Sequence, residues 1–333
     1  MGRSRASTKS QRRRASGQRP ASRVRWLPWA AAAAVAAIAI AIFAVVRFSG
    51  GPDGARTAVP PGPAAVRTSA GGELSQIRTA DFHSMAISPV NPDVILYGHH
   101  GGVLRSIDGG RTWPKTNLAA ATDDAMGMGI SSAEPEVAYA AGHDTFFKST
   151  DGGRTWKTLK GDLPGRDIHG MAVAPDKAGR LYANIVRFGF YRSDDGGDTW
   201  KKATSGSFPV DVVQVSASAG GVVYIASVQG GVLRSDDAGA TFTGTAPLSG
   251  SVLTVAASAT DSNAVYAGTS GGLFASADGG KTWIPRAIPG AGEVMVSAVN
   301  PADPLDVIVV AVQADRAGHV FRSTDGGATW GPG

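Results

Sequence analysis

The chain has 333 residues, 43% of them hydrophobic and 18% charged, enough apolar material for a sizeable folded core. It has no cysteine, which excludes disulfides, thiolate metal sites, cysteine nucleophiles and a lipid-modified cysteine anchor. The net charge of +5 is segregated: residues 1–25 hold nine Lys or Arg and no acid, and the remainder carries 23 basic against 27 acidic groups, so no nucleic-acid partner is expected for the globular part.

Residues 1–25 read as a basic cytoplasmic tail, with Arg12, Arg13, Arg14, Arg19, Arg23 and Arg25 ahead of an apolar run. Residues 26–48 read as a transmembrane signal-anchor helix. No charge interrupts 26–46, and 21 residues at a rise of ~1.5 Å span roughly the ~30 Å apolar layer of a bilayer. Trp26 and Trp29 stand where amphipathic rings favour the headgroups, and the basic flank keeps the amino end inside. A cleaved signal peptide is the competing reading; the run is long for one, and Val45-Val46-Arg47-Phe48 is a poor cleavage site. On either reading the rest of the chain is exported, anchored in the first case to the cell membrane by a single pass. Residues 49–72 are a Pro/Gly-rich linker.

Residues 73–333 contain six copies of one pattern. Ser-x-Asp-Gly-Gly-x-Thr-Trp occurs at 106–113, 149–156, 193–200, 276–283 and 323–330, with a weakened Ser-Asp-Asp-Ala-Gly-Ala-Thr-Phe at 235–242. Their aspartates, Asp108, Asp151, Asp195, Asp237, Asp278 and Asp325, are 43, 44, 42, 41 and 47 residues apart. A period in the low forties fits a four-stranded propeller blade. In the first unit, strands are expected at 83–89, 94–98 and 103–106. A hairpin turn at Asp108-Gly109-Gly110 follows, and Thr112-Trp113 begins a fourth strand. The fold class is therefore all-β, a six-bladed β-propeller of four-stranded blades preceded by one transmembrane helix. The last unit stops near its box, so 73–79 is expected to supply its outer strand and close the ring.

The box residues have a structural reading. The aspartate can accept turn N–H groups, and paired glycines supply positive φ. Trp113, Trp156, Trp200, Phe242, Trp283 and Trp330 can cover each hairpin. On these motifs the chain resembles the Asp-box, or BNR, repeat family of β-propellers, over about 73–333. That family includes sialidases, sortilin-type receptors, xyloglucan hydrolases and photosystem-assembly factors, so the resemblance implies the fold and leaves several activities open.

A site is expected on the face opposite the boxes. Third-to-fourth turns, the boxes, share one face with first-to-second turns. The other face carries second-to-third turns and the entrances to the innermost strands. There lie His83 and His169, with Asp81 and Asp167 two residues before them, and Asp124, Asp211 and Glu293 at other entrances. His99, His100, His143, Asp144, Arg187, Arg316 and His319 occupy or adjoin second-to-third turns. All six histidines thus fall on one expected face. Of these, His83, His99, His100, His143, Asp144, His169, Arg187, Asp211, Glu293, Arg316 and His319 form the candidate ligand-binding surface, for a protein, glycan or cell-wall ligand. No cofactor is predicted; His83 and His169 are the weak candidates for a divalent metal.

The alternative is a glycoside hydrolase using the same face, with Asp81, Asp167, Glu293 and Arg187 as candidate catalytic groups. The resemblance to sialidases would imply a Tyr nucleophile beside a Glu, with three arginines for the substrate carboxylate. No Arg-Ile-Pro segment occurs, and only four Glu are present. Tyr97, Tyr139 and Tyr182 read as mid-strand packing residues at repeat-equivalent positions.

Overall fold

The structure, a computed structural model, describes residues 72–331 except Gly206. The expected tail, transmembrane helix and linker, up to residue 71, lie outside the described residues. Among the described residues no helix is long and apolar enough to cross a membrane.

Short strands alternate with tight turns throughout. In chain order, β1 (Glu73–Ile77) is followed by a blade of β2 (Ser84–Ile87), β3 (Ile95–His99) and β4 (Gly102–Ser106). Blade 2 holds β5 (Gly127–Ile130), β6 (Ala138–Gly142), β7 (Thr145–Ser149) and β8 (Lys157–Thr158). Blade 3 holds β9 (Ile168–Val173), β10 (Leu181–Ile185), β11 (Gly189–Ser193) and β12 (Lys201–Lys202). Blade 4 holds β13 (Val212–Ala217), β14 (Val223–Ser227), β15 (Gly231–Ser235) and β16 (Thr243–Gly244). Blade 5 holds β17 (Val252–Ala257), β18 (Val265–Thr269), β19 (Gly272–Ser276) and β20 (Ile284–Arg286). Blade 6 holds β21 (Glu293–Asn300), β22 (Asp303–Val312) and β23 (Gly318–Ser323). Every neighbouring pair within a blade is antiparallel, and β1 completes blade 6 by pairing with β23. The ring is closed by its two ends, as the short last unit requires.

Blade 1 departs from the expected four strands. Its sheet has three, and the fourth shrinks to a single bridge between Leu104 and Lys115. The cause is Pro114, directly after the box Trp113. A proline has no N–H to give the ladder.

The boxes are built alike in all six units, the weakened copy included. In blade 2 the Ser149 hydroxyl donates to Asp151 Oδ1 at 2.8 Å and accepts the Gly153 N–H at 2.9 Å. Thr155 gives Asp151 both its N–H, at 2.9 Å, and its hydroxyl, at 2.6 Å. In blades 3 and 5 the hydroxyls of Thr199 and Thr282 are the main cause that holds Asp195 and Asp278 at a pKa of about 2. In blades 1 to 5 the amide of the residue after the aspartate donates to its own blade's first-to-second turn, as in Gly152 to Glu136 O at 2.9 Å, and in blade 6 Gly326 donates to Leu305 near the start of β22. Boxes and first-to-second turns therefore share one face.

The second box glycine faces a neighbouring blade. Gly153 has φ +78°, and a Cβ there would meet Leu96 of blade 1 at 2.5 Å. Box tryptophans tie blades together as well. Trp113 Nε1 donates to Ser75 Oγ in β1, and Trp156 N–H donates to Asn117 Oδ1 from the preceding unit. Small residues such as Ala140 and Ala183, fully buried between apolar clusters, let adjacent sheets approach.

Two substitutions test this account by urea denaturation. Ser149→Ala strands the buried Gly153 N–H, and stability should fall by about 1–3 kcal/mol. Ala238 takes the first glycine position of the weakened box at φ +58°. Ala238→Gly should therefore raise stability, by up to about 1 kcal/mol.

Candidate functional site

The end of the ring opposite the boxes gathers four histidines and three aspartates into one continuous row. The fold places them by repetition. Asp81, Asp124 and Asp167, at successive spacings of 43, precede the innermost strands β2, β5 and β9. His100 and His143 stand in the second-to-third turns of blades 1 and 2, and each backbone bridges to the next blade's aspartate: His100 to Asp124, His143 to Asp167. Asp81 and Asp124 also grip the turns of their own blades. The His100 N–H donates to Asp81 Oδ1 and the His143 N–H to Asp124 Oδ2, both at 2.8 Å. Gly142 makes the second grip possible, because a Cβ there would meet the Asp124 carboxyl at 2.5 Å.

The side chains complete the row. His83 Nε2 lies 3.5 Å from Asp81 Oδ1. His100 Nδ1 donates to Asp81 Oδ2 at 2.5 Å, and its Nε2 lies 3.6 Å from Asp124 Oδ2. His143 Nδ1 donates to Asp124 Oδ2 at 2.6 Å. Its Nε2 is 3.1 Å from His169 Nε2, which is 3.0 Å from Asp167 Oδ1. A bulge in β9 aims His169: the pairing with β10 shifts between Ala183 and Ile185, and Gly170 has φ +83°. Asp124 is the buried hub at 7% side-chain exposure, whereas His100 and His143 are 43% and 44% exposed.

Protonation follows from these contacts. The bonds to Asp81 and Asp124 raise His100 and His143 above the usual histidine value. Burial pulls His83 down to about 4, so its ring is neutral at neutral pH. Burial works against the charge on Asp81, Asp124 and Asp167, but the close imidazoles of His100, His143 and His169 outweigh it and hold all three carboxyls low.

Other expected site residues lie at the same end of the blades but stand apart from the row. His99 spends its Nδ1 on the His100 carbonyl at 2.8 Å and stacks on Tyr97. Asp211 accepts Ser227 Oγ and the Gln229 N–H, both at 2.6 Å, which fixes the turn of blade 4. Asp144, Arg187 and Arg316 have left-handed backbones at φ +55°, +70° and +63°, the conformation their hairpins require. The charge of Arg187 reaches Asp167 and helps lower it. Glu293 opens β21 and is partly buried. His319 belongs to the ring closure: its Nδ1 meets Glu73 Oε2 in β1 at 2.9 Å and its Nε2 meets Asp315 Oδ1 at 3.0 Å.

One expectation needs correction. Tyr97 is not repeat-equivalent to Tyr139 and Tyr182. It pairs with Leu104, while Tyr139 and Tyr182 pair with Lys148 and Arg192; Leu96 holds the equivalent place, opposite Arg105. Out of phase, Tyr97 turns its hydroxyl to Thr79 and to the Asp81 carbonyl, at 3.2 and 3.1 Å. A cleft at the box end is lined by the middles and far ends of all six inner strands, with Ser132, Pro175 and Pro301 beyond them, and no residue of the histidine row lines it.

Asp124 is the functional candidate that sequence reasoning undervalued. The 43-residue series from Asp81 through Asp167 was the signal that could have found it.

His319 gives a pH-dependent prediction. Burial disfavours its charged form, but Glu73 and Asp315 outweigh burial and raise its pKa above the ordinary 6.5. A raised histidine pKa contributes stability in full below the unfolded value, and that contribution is lost as pH rises through the folded value. Arg78, 3.7 Å from Asp315, also faces this group. Thermal denaturation of the wild type should lose midpoint temperature as pH rises past about 6.5; in His319→Gln that dependence should flatten.

Comparison with known proteins agrees with this architecture. A family described as photosynthesis system II assembly factor YCF48 matches residues 81–246, the stretch that contains the whole histidine row. No curated protein matches the sequence. Among solved structures, YCF48 from Cyanidioschyzon merolae is 18% identical with a TM-score of 0.52, covering 77% of this chain and 87% of its own. YCF48 bound to D1 peptide is 19% identical with a TM-score of 0.50, covering 78% and 83%. The GH74 enzyme of Niastella koreensis is 18% identical with a TM-score of 0.52, covering 75% of this chain; the chain spans 46% of that enzyme. At such identities these likenesses establish the fold alone.

Proposed function

We propose that this chain, which belongs to the Asp-box (BNR) repeat β-propellers, is a membrane-anchored binding module that holds a protein ligand outside the cytoplasm on the end opposite its boxes. The observation that carries the reading is the row from His83 to His169. Rigid strand ends of three blades present it, and it is graded from a buried hub to exposed imidazoles. Such a surface offers donors and acceptors at fixed spacing without demanding a deep cleft. The family match runs over this same stretch, and one structural neighbour of that family holds a D1 peptide, which supports a protein ligand ahead of a glycan or cell-wall polymer. Anchoring rests on the apolar run 26–48 and its basic flank.

The hydrolase reading has less support. A glycosidase needs a carboxylic acid that keeps its proton until the leaving group takes it. Asp81 and Asp124 each accept from an imidazole N–H, an arrangement that favours the ionised carboxylate. The likeness to GH74 enzymes covers less than half of those chains.

Capture from solubilised membranes tests the proposal. Wild-type chain should retain a protein partner, and the Asp81→Asn, His100→Ala double variant should lose it while keeping its thermal midpoint near that of the wild type. The folded chain should turn over no member of a fluorogenic glycoside panel. Turnover abolished by Asp167→Asn would replace this proposal with the hydrolase.

A further inference from the structure

The two histidine rings nearest blade 3 bring their outer nitrogens together beside a carboxylate. His143 Nε2 and His169 Nε2 face each other at 3.1 Å, and Asp167 Oδ1 lies 3.0 Å from the second and 3.7 Å from the first. The ligand-to-ligand edge of a tetrahedral zinc site with ~2.0–2.1 Å bonds is about 3.3 Å. The three atoms thus describe one triangular face of such a site. The 3.0 Å contact between His169 and Asp167 also lacks hydrogen-bond alignment, and Asp167 Oδ1 is buried without a hydrogen-bond partner. Two atoms that lie side by side, neither pointing at the other, can share a third partner.

The surroundings match what a metal-bound imidazole needs. The far nitrogen of His143 is held by Asp124 at 2.6 Å, the carboxylate–histidine pairing that fixes a ligand's tautomer and ring plane. Asp124 is in turn held by the His143 N–H. The other His/Asp triads in the row are poorer. His100 has committed Nδ1 to Asp81, and its Nε2 faces an Asp124 oxygen already bonded to His143. His83 stands 3.5 Å from Asp81. Of the three groups close enough to hold an ion, the one on blades 2 and 3 brings two ring nitrogens within 3.1 Å of each other.

We infer that His143 Nε2, His169 Nε2 and Asp167 Oδ1 form a binding site for a divalent cation of the zinc class, with Asp124 as the positioning residue for His143. Two nitrogen donors and one oxygen select zinc, cobalt or nickel over magnesium and calcium, which prefer oxygen ligands. Three protein ligands leave a fourth position for water or for a donor atom from a bound protein. The exposure of His143 and Asp167, 44% and 45%, keeps that position accessible. Ion capture requires no protein partner, so this inference stands or falls separately from the proposed function.

The test is titration of the chelator-treated full chain, free of affinity tags, with Zn²⁺ by calorimetry and with Co²⁺ by visible absorption. The expected result is one equivalent bound with a Kd of about 1 μM or tighter, and intense Co²⁺ bands of tetrahedral type. Mg²⁺ should not compete. His169→Ala and Asp167→Asn should weaken binding at least about tenfold, and Asp124→Asn about 10–100-fold with altered Co²⁺ bands. His99→Ala, outside the triad, should bind as wild type. Thermal denaturation checks that each variant is folded, and Zn²⁺ should raise the midpoint of the wild type but not of His169→Ala. Failure of the folded wild type to take up Co²⁺, or uptake unchanged by His169→Ala and Asp167→Asn, would overturn the inference.

Discussion

One hydrogen bond recurs in every blade, and the rest of the ring depends on it. The amide after the box aspartate, Gly109, Gly152, Gly196, Ala238, Gly279 or Gly326, donates at 2.8–3.0 Å to a carbonyl of its own blade's first-to-second turn or, in blade 6, to Leu305 near the start of β22. It fastens the third-to-fourth hairpin onto the neighbouring hairpin. Ser and Thr then saturate the box carboxylate, and the box ring covers the seam to an adjacent blade. A propeller has little other means of fixing its blade ends, because each sheet is short and its outer strand is sometimes only two residues long. A hydrogen-bonded corner repeated six times supplies order where sheet length cannot.

That solution divides the molecule. At the box end the carboxylates are spent on local donors, and Asp195 and Asp278 stay ionised down to about pH 2, so they have little freedom for chemistry or recognition. At the other end the turns run from two residues in blades 1, 2 and 5 to five in blade 6, and the strand-entrance aspartates Asp81 and Asp124 hold the turns of blades 1 and 2. The same repetition that builds the scaffold therefore lines up Asp81, Asp124 and Asp167, with imidazoles between them. Blades 4 to 6 lack this run. Asp211 holds a Gln turn, and His319 is used to close the ring against Glu73. The row of histidines and aspartates is concentrated on one arc of the rim.

Much of this was legible in the sequence. The box period announced the fold, and the short last unit announced closure by residues near 73, because both follow from counting. The segregation of all six histidines to one end was legible from topology. What was not legible lies in phase and contact. Tyr97 is one residue off the repeat, and a shift of one places a strand side chain on the other face of its sheet. Pro114 removed most of a strand that the box otherwise called for. The row itself depends on the bulge at His169 and on the missing Cβ of Gly142, neither of which a linear pattern displays. Grouping His83 with His169 by equivalence was sound as register, yet the structure gives them different partners.

The central claim is that recognition occurs at the histidine end and not at the box end. Photo-cross-linking in intact membranes tests it most directly. A photoreactive phenylalanine analogue at Phe188, exposed in the turn beside Arg187, would be compared with one at Lys281, exposed within the fifth box. The account predicts a defined protein adduct from position 188 and none from position 281. An adduct from 281 with none from 188 would contradict it.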